Sequence, residues 1–246
     1  MLQAILLDLD NTLVLFDETG FYLRYMERIT PCFADLMPAE AFRDRLLRGI
    51  RGLARNDGSR PNSDHFMERF CEGLDGAREA VWERFMTFYA SEYDRIPVTV
   101  KRPAGLAELL DRLEGWGLRL VVATNPLFPE LAQTKRLAWA DLAPERFELL
   151  THLENMSYVK PRADYYRQIC KKLDLTPEQC LMVGNDAVND MVAGTVGMTT
   201  YLTTEAGVID YGAVTEGRRV SRGTSHPADF SGPLSGVAEV VARLRG

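Results

Sequence analysis

Apolar positions repeat with two different periods along the chain, and the change of period divides it into two parts. From about residue 19 to residue 95 the spacing is helical, with one apolar stripe at 42–53 and another, rich in aromatic residues, at 81–89. These stripes predict helices whose apolar faces pack in a core. The polar stretch between them, 56–62, predicts a loop.

Beyond residue 97, short apolar runs alternate with helical segments. Strands are predicted at 4–7, 118–123, 147–151, 180–183 and 199–202. Helices are predicted at 103–114, 129–138, 162–173 and 237–244. Such alternation is typical of a doubly wound parallel α/β sheet with helices on both faces. We therefore predict a core of residues 1–16 and 98–246, with an all-helical segment, 17–97, inserted after the first strand.

Two aspartates, Asp8 and Asp10, follow the first apolar run directly. Side chains two positions apart point the same way in a strand, so the pattern predicts both carboxylates on one face at the carboxyl end of that strand. Carboxylates held this close repel each other unless a cation lies between them or one is protonated. A metal site or an acid–base pair would account for them. An acidic surface turn is the alternative interpretation.

Polar residues also follow two later strands of the predicted sheet. Thr124 and Asn125 come after the strand at 118–123, and a segment containing Asn185, Asp186 and Asp190 comes after the strand at 180–183. Ligands of such sheets bind outside the carboxyl ends of the strands, so these side chains are expected to meet at one edge. A turn after a strand and a helix cap are the structural alternatives.

Lys160 stands directly before Pro161, where the helix at 162–173 is predicted to begin. Proline is favoured in the first turn of a helix, and helix N-termini favour anions. The pattern therefore predicts an ammonium group near an anion site, with a solvated surface lysine as the alternative.

Composition excludes several classes of protein. The 246 residues are 46% hydrophobic and 26% charged, which is typical of a globular protein. A formal net charge of −6 with no long basic run argues against nucleic acid and membrane as partners. The first apolar run is too short for a signal peptide or membrane span, which favours the cytoplasm.

The four cysteines lack metal-site spacing, so we expect reduced, packing cysteines: Cys32, Cys71, Cys170 and Cys180.

Four motifs in this order resemble those of the haloacid dehalogenase superfamily of aspartyl-nucleophile phosphohydrolases. They are Asp8-x-Asp10-x-Thr12, Thr124-Asn125, Lys160 and the acidic segment 185–190, and the resemblance runs from the first strand to about residue 202. The helical insertion is similar to the cap of the phosphoglycolate-phosphatase-like and phosphoglucomutase-like branch. The resemblance implies a Rossmann-like core with a helical cap, Mg²⁺ as cofactor and a small phosphorylated metabolite as substrate.

The resemblance also implies a role for each acid. Asp8 would attack phosphorus and form an aspartyl-phosphate, and Asp10 would protonate the leaving group and then activate water. Mg²⁺ would be held by Asp8, Asp186 and the main-chain carbonyl of Asp10. Asp186 is favoured over Asn185 as the ligand from the fourth motif because a neutral amide is a weaker ligand for a hard cation.

The remaining motif residues would support this reaction. Thr124 and Asn125 would bind phosphoryl oxygens, and Lys160 would neutralise charge on Asp8 and the phosphoryl group. Thr12 would orient the first loop, and Asp190 would support metal-bound water or Lys160.

Arginines in the insertion offer two interpretations. Arg48, Arg51 and Arg55 recur at helical spacing and lead into the loop that carries Arg60. They could form a solvated face. Alternatively, Arg55, Asn56 or Arg60 would project over the core and contact the non-reacting end of the substrate. A guanidinium there would favour substrates with a second anion.

Three classes of function fit these observations. A magnesium-dependent phosphatase of a small phosphate monoester fits best. A phosphomutase or a haloacid dehalogenase on the same scaffold is the second class, although a dehalogenase has little use for Asp10. A non-catalytic small-molecule-binding regulator is the third. The identity of the substrate and the oligomeric state stay open.

Overall fold

The computed structural model describes residues 1–74, 78–206 and 224–245. Its centre is a six-stranded sheet in the order β3-β2-β1-β4-β5-β6, and every neighbouring pair of strands is parallel. The strands are β1 Ala4–Leu7, β2 Arg119–Val122, β3 Leu149–Leu150, β4 Cys180–Gly184, β5 Thr199–Thr203 and β6 Phe230–Gly232. The predicted doubly wound parallel α/β fold is confirmed.

The helices match the predicted order, with ends that differ by a few residues. They are α1 Glu18–Ile29, α2 Ala39–Leu53, α3 Asn62–Phe70, α4 Arg78–Ser91, α5 Leu106–Gly115, α6 Glu130–Trp139, α7 Ala163–Leu173 and α8 Val237–Arg245. In the described part of the chain, no helix is long and apolar enough to cross a membrane. The four cysteines are all free thiols.

Strand β1 lies in the middle of the sheet, between β2 and β4. All four of its side chains are fully buried, because helices cover both faces of the sheet. Ile5 and Leu7 pack in the cluster formed with α5 and α8, whereas Ala4 and Leu6 pack on the other face with α7. This alternation fixes the register of the central strand, and with it the position of the residue that follows Leu7.

Helices α1 to α4 form the insertion between β1 and α5, and they have an apolar cluster of their own. Aromatic rings dominate this cluster, for example Phe33, Phe42 and Phe85. Residues of the core also join it, notably Phe128 and Leu153, so the insertion packs directly over the carboxyl edge of the sheet. The division into domains at 17–97 stays a prediction.

Two features differ from the sequence-based expectation. The short strand β6 was not predicted, because three residues are too few to show a period. The polar, glycine-bearing segment 211–229 before it is expected from the sequence to form a surface hairpin or loop, and its residues 211–223 lie outside the described residues. Helix α7 begins at Ala163 with Arg162 as its N-cap, so Pro161 lies before the helix and not in its first turn.

Candidate active site

Asp8 stands one residue beyond β1 and is 9% exposed. Its main-chain N–H donates to the carbonyl of Val183 in β4 at 2.9 Å, which continues the sheet register into the site. Lys160 Nζ donates to Asp8 Oδ1 at 2.8 Å. Among the described residues, the other oxygen, Oδ2, has only a long 3.5 Å contact with the hydroxyl of Thr12. Lysine therefore holds one oxygen of this carboxylate and leaves the second free to react.

The chain turns back immediately after Asp8. The amides of Leu13 and Val14 both donate to the carbonyl of Leu9, at 2.9 and 3.0 Å. Asn11 takes a left-handed conformation with φ of 59°, which asparagine tolerates better than most residues. Asp8 and Asp10 thus both line the cavity described below, but they do so from a tight turn and not from a continuing strand.

Lys160 links Asp8 to the fourth motif. Its ammonium donates to Asp190 Oδ1 at 2.6 Å, and Asp190 Oδ2 accepts the main-chain N–H of Asp186 at 3.0 Å. Space for Asp190 depends on Gly184 at the end of β4, since a Cβ there would lie 2.1 Å from Asp190 Oδ2. These contacts hold the ammonium between two buried carboxylates, so Asp190 supports Lys160.

The Asp186 carboxylate is fixed by its own loop. Oδ1 accepts the main-chain N–H groups of Val188 and Asn189 at 2.8 and 2.9 Å, and Oδ2 accepts the Asn189 side-chain amide at 2.6 Å. Asn185 also lines the cavity, and its amide nitrogen is buried without a partner among the described residues. Asp186 therefore presents an oriented carboxylate to the cavity, and Asn185 presents a free donor.

Thr124 and Asn125 lie where β2 ends, next to the same cavity. The carbonyl of Thr124 accepts hydroxyl groups of Thr151 and Tyr165 at 2.7 and 2.8 Å, which fixes the main chain there. Asn125 Oδ1 accepts the main-chain N–H of Lys160 at 3.2 Å. Because its oxygen is engaged in this way, the amide nitrogen of Asn125 is the group oriented to donate elsewhere.

Arg136 of α6 is a site residue that sequence reasoning missed. It is 1% exposed and forms an ion pair with Asp10 through Nη1. Its Nε donates to the Tyr93 hydroxyl at 2.8 Å, and its guanidinium lies 4.2 and 5.0 Å from the ring centroids of Phe128 and Phe21. This packing fixes the guanidinium, which in turn fixes the Asp10 carboxylate.

One atom of each partner in this ion pair stays unused. Asp10 Oδ1 and Arg136 Nη2 are both buried and have no hydrogen-bond partner within residues 1–74, 78–206 and 224–245. Asp10 therefore has one oxygen held by arginine and a second oxygen available to accept or donate a proton.

Glu18 is a second residue that the sequence did not single out. It lies in the first turn of α1 and lines the cavity with the other acids. Burial, together with the charges of Asp10 and Asp8, raises the pKa of Glu18 to about 7. An acid in the first turn of a helix is normally explained by its interaction with the helix dipole. The sequence alone therefore gave no reason to assign Glu18 to the site.

Negative charge exceeds positive charge around this cavity. Five carboxylates line it, those of Asp8, Asp10, Glu18, Asp186 and Asp190, against the two cations Lys160 and Arg136. Burial raises the pKa of Asp8 and of Asp10, and it raises that of Asp190 to about 7, although Lys160 and Arg136 oppose these shifts. Lys160 itself is buried, which lowers the pKa of an ammonium, but Asp190 and Asp8 more than offset this and raise it well above its usual value.

A single cation would relieve this excess of charge. Within the described residues, no three histidine, cysteine or carboxylate side chains form a cluster with metal-site spacing. The donor set is nevertheless suited to magnesium, which takes one or two carboxylates and fills its remaining positions with water and phosphate oxygens. Asp8 and Asp186 supply two such carboxylates.

The acids and cations form the floor of a cavity of about 810 Å³. Its upper part is lined by apolar side chains of the insertion, and we call this part the apolar chamber: Met26, Leu46, Leu47, Ile50, Phe66, Trp82 and Phe85. The structure does not bring Arg55 and Arg60 to the cavity. Arg55 is exposed, and Arg60 pairs with Glu68 on the surface of the insertion.

Comparison with known proteins places this geometry in a family. A family model described as haloacid dehalogenase-like hydrolase matches residues 2–196. Protein CbbY of Cereibacter sphaeroides is 26% identical over 204 residues, which cover 78% of this chain and 80% of that protein. A 2-haloacid dehalogenase from Pseudomonas syringae pv. Tomato DC3000 has the same fold, with a TM-score of 0.62 and 18% identity over 99% of each chain. A HAD phosphatase from Thermococcus onnurineus superposes with a TM-score of 0.57 and 19% identity over 98% of each chain. The expected resemblance is confirmed, and the chain belongs to the haloacid dehalogenase-like hydrolase family.

Proposed function

We propose that this hydrolase is a magnesium-dependent phosphatase that cleaves a phosphate monoester through an aspartyl-phosphate on Asp8. The observation that carries the proposal is the pair of buried acids with different partners. Asp8 is held by Lys160 at one oxygen, whereas Asp10 is held by Arg136 and keeps Oδ1 free. One acid is thus arranged as a nucleophile and the other as a proton carrier.

In the first step an oxygen of Asp8 attacks phosphorus, the ester P–O bond breaks, and Asp10 gives the leaving alkoxide its proton. Burial raises the pKa of Asp10 above its ordinary value although Arg136 opposes the shift, and a raised pKa favours the protonated form that the first step needs. In the second step Asp10 takes a proton from water, water attacks phosphorus, and Asp8 is released with inorganic phosphate. Lys160 stays charged throughout and stabilises negative charge on Asp8 and the phosphoryl oxygens.

Donors for the phosphoryl oxygens come from the ends of two strands. The hydroxyl of Thr124 and the amide nitrogen of Asn125 follow β2, and the unpartnered amide nitrogen of Asn185 follows β4. Magnesium would be held by Asp8, Asp186 and the main-chain carbonyl of Asp10, and it would supply charge neutralisation for the approach of the phosphate dianion.

A panel assay tests the proposal. The purified protein is incubated with phosphate monoesters, with either Mg²⁺ or EDTA, and in parallel with 2-haloacids. We expect phosphate release that needs Mg²⁺, that EDTA abolishes and that added Mg²⁺ restores. Halide release from the haloacids without metal, in the absence of phosphate release, would overturn it in favour of a dehalogenase.

A further inference from the structure

The apolar chamber contrasts with the cap surface that a doubly anionic substrate would need. Helices α2, α3 and α4 carry many charged residues, but in the described structure none of their charged side chains lines the cavity. Their contributions are aliphatic or aromatic, such as Leu46, Phe66 and Trp82. Helices α2 to α4 therefore turn apolar side chains toward the cavity, whereas α1 contributes the acid Glu18 beside the motif acids.

The polar atoms of the upper cavity are also partly satisfied within the protein. The hydroxyls of Tyr25 and Tyr89 both belong to cavity-lining residues, and they bond to each other at 2.8 Å. Since these two hydroxyls already have a partner, they offer little to the hydroxyl or carboxylate groups of a ligand. Lys160 and Arg136 lie on the floor, where Asp8, Asp190 and Asp10 already pair with them.

The volume of the cavity also favours a ligand with a large apolar group. A volume of about 810 Å³ lies in the upper part of the range for sites that enclose a drug-sized molecule, roughly 300–1,000 Å³. A phosphoryl group and two or three carbon atoms would fill only a small part of it. Cavities with apolar walls are poorly hydrated and bind apolar molecules.

We infer that the apolar chamber binds an uncharged apolar group of the substrate, a medium-length alkyl chain or a fused aromatic ring, while the phosphate lies at Asp8. This inference rests on the proposed phosphatase function and names its substrate class: phosphate monoesters of apolar alcohols. Esters with a second anion would have no free cation opposite them in the described part of the chamber.

Two measurements on alkyl compounds of increasing chain length test the chamber assignment and the phosphatase function separately. Binding is measured by calorimetry with alkylphosphonates from ethyl to octyl, which keep the phosphoryl group but have no ester bond. Turnover is measured with the matching primary alkyl phosphates and with 2-phosphoglycolate. We expect phosphonate affinity and kcat/KM to rise roughly fourfold with each methylene until the chamber is full. We expect 2-phosphoglycolate to be a poorer substrate than ethyl phosphate.

A variant and a matched control locate the effect in the chamber. Leu47 lines the cavity yet is 46% exposed, so Leu47→Lys is compatible with folding and places a charge at the chamber. Leu23 on α1 is 63% exposed and does not line the cavity, so Leu23→Lys is the control. Leu47→Lys should weaken octylphosphonate binding about tenfold and ethylphosphonate binding less than twofold, since only the longer chain reaches the introduced charge. Leu23→Lys should change neither.

The possible outcomes differ for the two claims. Affinity that is flat or falls with chain length overturns the chamber assignment, whether or not esters are hydrolysed. Affinity that rises with chain length without hydrolysis of any ester supports the chamber and overturns the phosphatase function. Equal responses of Leu47→Lys and Leu23→Lys would also overturn the chamber assignment.

Discussion

The floor and the upper part of the cavity are built in opposite ways. The floor is formed mainly by residues directly after β1, β2 and β4, together with Lys160 before α7 and Arg136 of α6. It holds charged groups that are paired and buried, such as Asp8 with Lys160. The apolar chamber is formed by faces of four helices and holds no ion pair in its described lining. Rigid strand ends fix the reacting groups, whereas adaptable helix faces shape the volume above them. Chemistry and substrate choice can therefore vary separately in this protein.

The largest effect is expected on the floor, from Asp8→Asn. An amide cannot attack phosphorus efficiently, so turnover should fall at least a thousandfold, about the scale of losing a nucleophile. The variant should fold normally because the side chain keeps its size and can still accept from Lys160. Thermal unfolding and phosphate release on the same sample check both points. A folded variant with more than a tenth of normal activity would contradict the assignment of Asp8.

Asp10→Asn should produce a smaller loss that depends on the leaving group. Hydrolysis of an alkyl phosphate should slow about a hundredfold, within the usual range for loss of a general acid. An activated aryl phosphate should slow far less, because its leaving group departs without a proton. Comparison of kcat for the two esters measures this. Equal slowing of both would assign Asp10 to structure or metal binding alone.

Arg136→Met tests the link between the floor and the insertion. The substitution leaves Asp10 buried without its cation, and breaking a buried ion pair costs about 3–5 kcal/mol of folding free energy. The double variant Asp10→Asn with Arg136→Met should lose less folding free energy than the two single variants added together. In the double variant neither position keeps a buried charge without its partner. Urea unfolding of the four proteins gives the coupling energy. Additive losses would show that the pair does not act as a unit.

Magnesium should stabilise the protein, and more so at high pH. Burial raises the pKa of Asp190 and of Glu18 to about 7, from ordinary values of 3.8 and 4.5. Each group therefore contributes stability at pH 4 that is lost as the pH rises through about 7. A bound cation favours the ionised acids, so at one hundred times its Kd it should add about 2.7 kcal/mol, or roughly 5–10 °C in Tm, at pH 8. The gain should be smaller at pH 5, where protons compete with the cation for the acids of the cavity.

Two variants control this measurement. Asp186→Asn should reduce the shift of Tm by magnesium, because it removes a carboxylate from the cavity. Asp44→Asn, an exposed acid on α2 outside the cavity, should leave the shift unchanged. An equal shift at pH 5 and pH 8 would point to a general salt effect in place of a site.

The floor was largely predictable from the sequence, and the physical reason is local. Asp8, Thr124 and Asp186 each follow a buried apolar run, and parallel strands bring their carboxyl ends to one edge. Strand β6 was not predicted because three residues are too few to show a period. Helix α7 was predicted to begin at Arg162, which is its N-cap, and it begins one residue later.

Other site residues were not predicted because their positions in the sequence have ordinary structural explanations. Arg136 lies on the buried stripe of α6 with Ala132, Gln133 and Leu137. Two polar residues in a four-residue buried stripe were the signal that could have identified it. The chamber could not be predicted in the same way. The stripe at 81–89 was expected to pack in a core, yet its Trp82 also lines the cavity, because which helix faces meet is decided only in three dimensions.

The smallest effect is expected from the arginines that one of the two interpretations of the sequence placed over the site. Arg55 is exposed and Arg60 pairs with Glu68 at the surface, so neither lines the cavity. Arg55→Ala and Arg60→Ala should therefore change KM and kcat for the best phosphate ester less than twofold, in the range of ordinary surface substitutions. Leu47→Lys is the informative comparison, since it alters the same insertion but on a residue that lines the chamber. A fivefold rise in KM for either arginine variant, with kcat unchanged, would mean that the insertion moves to bring a cation onto the substrate, and the contrast between a charged floor and an apolar chamber would no longer describe the protein at work.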